Sequence, residues 1–392
     1  MSEWARHRAG GEPAGGEPAG GQDDDAVGGG PEEWAGRFEA QALSCDTLGS
    51  PLYGRLLRLL ALDCAAAGTT WDLVRPHAGL RFGQMGPLRL VGAAHRLALT
   101  GDADGWAACL PSCGGTPPPD DDALARAWVD LAGTRGAELS DGLTREVQTN
   151  EVGRAAALAY AAARARLPDG VRLVELGPSG GLNLRMDHYD TELRGPAGSA
   201  PLRLGDPASS VRLVPEVRTE PVPSAAMARI DERIGLDPHP IDAAGEQGAA
   251  TLLSFVWPDQ DERIARVRAA LAVAAEVPVD LRRTDDTGVA LEAVLAGAPR
   301  PTLVQHSIVW QYLPTMQRWH VTDVLEAAGA RATDDAPLAW VRFEPDEWNR
   351  SRVAVWLRRW PGGADRLVAH ADYHGRWLAP VPDAQGSPVP DA

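Results

Sequence analysis

An apolar run that ends in an acid and breaks into glycines offers main-chain groups and one carboxylate to a ligand, and residues 171–184, VRLVELGPSGGLNL, read this way. Val171, Leu173, Val174 and Leu176 suit a buried strand, with Glu175 at its carboxyl end, where open α/β sheets take their ligands. Gly177, Gly180 and Gly181 tolerate positive φ and let a ligand approach the backbone closely. A helical pattern follows to about Asp187, completing the strand, turn and helix of a nucleotide site. Polar groups recur where other apolar runs end: Asp285, the trio Gln305, His306 and Ser307, and Glu344. A histidine titrates near neutrality, so His306 is a candidate base and Glu344 its companion on the acceptor side.

The segment resembles motif I of class I S-adenosylmethionine-dependent methyltransferases, acid-x-Gly-x-Gly-x-Gly, with Ser179 in place of the middle glycine. That resemblance implies a Rossmann-like α/β fold and S-adenosylmethionine held by Glu175, Gly177, Ser179, Gly181 and Asn183. An acid for the ribose is expected as well. Asp237 in RIGLDPHP resembles the pattern Gly-x-Asp-x-x-Pro and is preferred to Asp190, although it lies about sixty residues beyond Glu175. Asp285 would lie against the adenine, and VQHS would face the methyl group and its acceptor, a small molecule. Methyl transfer is an in-line displacement, for which a protein chiefly supplies orientation and exclusion of water.

Two other classes remain open. Gly177-Pro178-Ser179-Gly180-Gly181 is also Gly-x-Ser-x-Gly, the nucleophile elbow of α/β-hydrolases, with Asp346 or Asp365 and His370 or His374 to complete a triad. Against it, the 170 residues before the turn read as helices and loops, whereas that fold needs several strands first. A catalytically idle Rossmann-like domain that binds a nucleotide or a partner protein is the other alternative.

The elements that would position these groups are legible from periodicity and turn chemistry. Residues 1–30, with GGEPA repeated at 10–14 and 15–19, and the tail 379–392, with PVPDA at 380–384 and 388–392, are low-complexity and expected to be disordered. Residues 31–148 read as an all-helical N-terminal domain, clearest at 32–44, 51–67, 86–99 and 122–136. A helix over about 150–166 enters the first strand through Pro168-Asp169-Gly170, folding back antiparallel so that its start lies beside the glycine turn. Thr149 or Asn150 would cap it, and Gln148, Asn150, Glu151 and Arg154 are candidates to line the ligand site. Residues 149–378 then form the mostly parallel α/β domain, with an insertion at 189–220. Helices are expected at 224–234, 245–255, 259–275, up to 296 and at 315–329, and strands at 277–282, 302–307, 338–343, 352–359 and 365–371, the last two a closing antiparallel hairpin.

Composition excludes further chemistry. All 38 basic residues are arginine, so no Walker A lysine, pyridoxal Schiff base or kinase lysine exists here. A net charge of −16 without a basic patch argues against nucleic acid and anionic membranes. Cys45, Cys64, Cys109 and Cys113 lack paired zinc spacing, and His370 with His374 lacks a third ligand, so no metal is expected. No apolar segment has signal-peptide or membrane-spanning length, which leads us to expect a soluble cytoplasmic protein. Of the 13 tryptophans, Trp257 and Trp310 are candidates for an aromatic pocket wall, against core packing as the default.

Taken together, QTNEVGR at 148–154, ELGPSGGLNL at 175–184, FVWPDQDER at 255–263, VQHS at 304–307 and HGRW at 374–377 resemble a family of uncharacterised bacterial proteins, a domain of unknown function, over residues 32–378. This resemblance implies a shared fold and site, and no particular activity.

Overall fold

A computed structural model describes residues 29–195, 201–220 and 226–382. The low-complexity calls fall almost wholly outside these residues, at 1–28 and 383–392.

The helical region contains Pro31–Thr47, Pro51–Ala65, Gly86–Leu99 and Asp121–Gly142, with shorter turns between them. Proline in the first turn of the first three fixes φ where no intrahelical N–H is required. Asp121–Gly142 outruns the expected end at 136 because it continues past a non-helical residue, Arg135 (φ −130°, ψ 24°). These helices enclose one core, built on Trp34, Phe38, Tyr53, Leu57 and Trp128, and Trp257 enters it from the other half of the chain.

The second half builds the strands β1 (Val171–Leu176), β2 (Asp190–Leu193), β3 (Leu202–Leu204), β4 (Arg212–Leu213), β5 (Glu216–Val217), β6 (Ile230–Asp237), β7 (Asp280–Arg283), β8 (Thr302–Ser307), β9 (Leu338–Pro345), β10 (Val353–Trp360), β11 (Asp365–Ala371) and β12 (Trp377–Pro380). Nine form one sheet in the order β7-β6-β1-β8-β9-β10-β11-β12-β5, and β3-β2-β4 form a small second sheet within the expected insertion. β7, β6, β1, β8 and β9 are all parallel, and β10 and β11 follow as antiparallel neighbours. The chain is therefore a mixed α/β protein with a mostly parallel sheet and a helical N-terminal region. Helices Ala155–Ala165, Glu246–Ser254 and Asp261–Glu276 contribute to the core on one face, and Thr287–Leu295 and Thr315–Gly329 to the core on the other.

Four expectations need correction. Residues 230–234, read as the end of a helix, belong to β6 beside β1. Their charges sit on partners, Glu232 on Arg172 and Arg300 and Arg233 on Asp187, so Ile230 and Ile234 suggest a helical period that is not there. Gly235 marks the strand, since a Cβ there would lie 2.5 Å from Leu281 and 2.6 Å from Pro178. Helix Ala155–Ala165 packs on β9, β10 and β11 rather than back along β1, and all of its residues are buried. Its entry is a short 3-10 turn, Val152–Arg154, capped by the Glu151 side chain instead of Thr149 or Asn150. Finally, β12 runs through 379–380 and pairs with β11 and β5, so the hairpin is not the sheet edge and the ordered chain passes 378.

Candidate functional site

The strand order reverses between β1 and β8, and the glycine turn leaves β1 at that point. Gly177, Ser179 and Gly181 all have positive φ (65°, 54° and 66°). Left-handed backbone costs a non-glycine residue about 1 kcal/mol or more. Ser179 is held in it from three sides: its N–H donates to Asp237 Oδ2 (2.8 Å), its hydroxyl to Gln148 Oε1 (2.7 Å), and its carbonyl accepts from Ile241 N–H (3.0 Å). Asn150 Oδ1 accepts from Leu182 N–H at 2.9 Å. The stretch 148–151 thus lies on the turn, as the sequence implied. The Ser179 hydroxyl donates to an amide oxygen rather than to a histidine, Asp365 is bound to Arg342 and Arg358, and Asp346, also bound to Arg352, lies 3.5 Å from His370 as the acid–histidine pair of the triad reading.

Glu175 and Gln305 stand opposite each other on β1 and β8, with Asn183 close by. Glu175 is 1% exposed, and burial pushes its carboxyl up to about 8, against smaller opposing effects from the Gln305 amide and Arg154. Glu175 Oε2, Asn183 Oδ1 and Gln305 Oε1 are buried without a hydrogen-bond partner. Asn183 Oδ1 and Gln305 Oε1 are acceptors and Glu175 becomes one when it gives up its proton, so three unpartnered buried oxygens at this strand end call for an explanation.

Glu151 and Arg154 tie this cluster to the rest. Burial would raise the Glu151 carboxyl, but Arg263, His374, the Gly153 amide and Arg154 overcome it and hold it at about 2. Arg263 Nη2 lies 2.6 Å from Glu151 Oε2. Arg154 donates to Tyr373 O (3.0 Å) and to Ser307 O (3.2 Å). Gly153 and Gly375 meet backbone to backbone, since a Cβ on Gly153 would lie 2.1 Å from His374 O. QTNEVGR and HGRW are therefore one unit, and His374 flanks it. Burial beside Arg263 lowers the imidazole to about 4.

His306 and Glu344 are brought together, with Nδ1 and Oε1 2.7 Å apart. They lie on the opposite face of the sheet from Glu175 and Gln305, because neighbouring strand residues alternate. The sequence put all four in a single pocket without that alternation. Glu344 Oε1 also accepts from Val309 and Trp310 N–H (3.0 and 3.2 Å), and His306 stacks on Trp310 with ring centroids 5.0 Å apart. His306 Nε2 is buried and unpartnered.

The remaining assignments are dispersed. Asp237 ends β6 as a ribose acid would, yet both its oxygens accept main-chain N–H groups, from Ser179 and His239. Asp190 belongs to the small sheet, 3.5 Å from Arg203 and 3.7 Å from Arg212. Asp285 is exposed beyond β7. Trp257 is core, whereas Trp310 is half-buried over His306. Sequence reasoning missed Arg263, whose position in FVWPDQDER was the available signal. That motif joins the two halves: Asp259 accepts from Leu52 N–H (2.9 Å) and the Ser50 hydroxyl, and Pro258 O from Ser112 N–H (2.9 Å). Among the described residues all four cysteines are free, no group of three or more His, Cys, Asp or Glu is arranged to hold a metal, and no helix is long and apolar enough to cross a membrane.

Residues 35–379 match the family described as "Uncharacterized protein conserved in bacteria (DUF2332)", and the chain belongs to it. No curated protein and no solved structure matches.

Proposed function

Proceeding from that membership, which carries no activity of its own, we propose that the protein is an S-adenosylmethionine-dependent methyltransferase acting on a small molecule. The observation that carries the proposal is the trio of unpartnered buried oxygens, Glu175 Oε2, Asn183 Oδ1 and Gln305 Oε1, at the point where the strand order reverses, all of them acceptors once Glu175 releases its proton. An ammonium presents three N–H donors and no acceptor, so the α-ammonium of the cofactor's methionine portion fits this set. Supporting it, the parallel strands run third, second, first, fourth, fifth, the doubly wound order that takes ligands outside the carboxyl ends at its switch point. The turn leads into a six-residue 3-10 helix, too short to offer a dipole to a pyrophosphate, which favours a nucleoside without phosphate over a dinucleotide.

When bound, S-adenosylmethionine supplies an electrophilic methyl group. The chain's part is to orient, enclose and manage a proton. Donation from His306 Nδ1 to Glu344 leaves Nε2 as an acceptor, suited to take a proton from the substrate. Val309 covers Gly177, where a Cβ would lie 2.6 Å from it, and Ile308 holds φ at +55°, strained for a β-branched residue. Ligand entry therefore moves 308–312, which releases that strain and lifts Val309 from Gly177 and Trp310 from the His306 ring. Ultraviolet crosslinking of the full-length protein to methyl-labelled S-adenosylmethionine tests the proposal. We expect label within 175–184, competed by S-adenosylhomocysteine and not by ATP or NAD. Folded protein that takes no label, or loses it equally to ATP, refutes the assignment.

A further inference from the structure

Away from the glycine turn, a cavity of about 470 Å³ lies between helices Gly86–Leu99, Asp121–Gly142 and Glu246–Ser254, within the size range of small-molecule sites. Four arginines line it, Arg89, Arg96, Arg135 and Arg145, together with Asp102, Glu138 and Asp141. Two of these pairs neutralise each other, Arg135 with Glu138 at 3.1 Å and Arg145 with Asp141 at 3.4 Å. Arg89 and Arg96 have no carboxylate within ion-pair distance among the described residues. Arg89 uses two of its five N–H donors, on the carbonyls of Gln84 (2.7 Å) and Leu143 (3.0 Å). Arg96 reaches the Gln247 side chain through one terminal nitrogen, and its Nε is buried without an acceptor. Burial lowers both guanidinium pKa values, which is the cost of holding a cation without a counter-ion. Leu97 and Phe255 give the same cavity an apolar wall.

We propose that this cavity is a second ligand site, for a small monoanionic carboxylate whose head group pairs with Arg96 beside Arg89 and whose apolar part lies on Leu97 and Phe255. Four cations against three carboxylates leave a lining charge of +1, which one carboxylate neutralises and a doubly charged phosphate exceeds. A guanidinium is planar and matches a carboxylate through two parallel N–H donors, and because Arg96 Nε has no acceptor, turning that buried edge of the guanidinium into the cavity breaks no bond it makes.

Phenylacetate and its neutral isostere phenylacetamide, titrated into the full-length protein by calorimetry with ligand-observed NMR, test the site. Phenylacetate is expected to bind at least tenfold more tightly than the amide, Arg96→Gln to weaken it at least tenfold, and Glu175→Gln to leave it unchanged. Failure of folded wild-type protein to bind phenylacetate, or equal binding of the amide, overturns the proposal without recourse to a variant. So does loss of binding in Glu175→Gln, which would move the carboxylate to the glycine turn.

Discussion

Replacing Glu175 by glutamine should make the free protein more stable, and the pH dependence of the gain identifies its cause. The carboxyl is 1% exposed and titrates at about 8 against an ordinary value of 4.5. Between those values the folded protein keeps a proton that the unfolded chain releases. Wild-type stability is therefore fully present below pH 4.5, falls as pH rises through that window, and levels off above about 8. At about 1.4 kcal/mol for each pH unit, holding Glu175 protonated costs about 3 kcal/mol at pH 7. Glutamine keeps the shape and the neutral form without that cost. Urea denaturation of wild type and Glu175→Gln should give equal stabilities near pH 4.5, and a difference that grows to about 3 kcal/mol at pH 7 with unchanged m-values. A variant no more stable than wild type at pH 7, or a difference independent of pH, would refute the argument that Glu175 is buried without a counter-charge. A stabilising substitution at a strand end marks a group kept for function at the expense of stability.

Other consequences follow from the same packing. His95 is buried with both ring nitrogens bonded, to Ser254 O (3.1 Å) and Ser112 Oγ (2.7 Å), and burial lowers it to about 4. Its contribution is present above pH 6.5 and is lost as pH falls towards 4, by about 3 kcal/mol, so His95→Gln should flatten acid denaturation over that interval. Asp259→Ala removes two charge-assisted bonds at the start of Pro51–Ala65 and should cost about 2 kcal/mol or more, with faster hydrogen exchange in that helix. Gly153→Ala places a Cβ 2.1 Å from His374 O and should cost about 3 kcal/mol or prevent folding, whereas Gly133→Ala meets nothing within 4 Å and should stabilise by up to about 1 kcal/mol, both read by denaturant midpoint.

Local chemistry was legible in the sequence where it is self-contained. The proline-started helices, the strand at 365–371, the helix at 315–329 and the glycine turn follow from periodicity and turn residues, whereas Gln148 and Asn150 reach that turn although the helix after them packs on β9, β10 and β11 and not back along β1. β6 was hidden because its alternation is carried by charges whose partners, Arg172, Arg300 and Asp187, are distant in sequence. The pairing of His306 with Glu344 is a register property of β8 against β9, as is their separation from Glu175 by strand alternation. Trp257 could not be divided between core and pocket until the helical region closed around it. Arg263 as the counter-ion of Glu151 likewise depends on where a helix more than a hundred residues later comes to lie.

The most direct test of the account is calorimetric titration of S-adenosylhomocysteine at pH 7, in two buffers of different ionisation enthalpy, into wild type and Glu175→Gln. An ammonium docked on Glu175 draws its pKa down, so wild type should bind with release of about one proton per ligand, and the more stable variant should bind at least tenfold more weakly. Folded wild-type protein that does not bind, or a variant that binds equally with the same proton count, would contradict it.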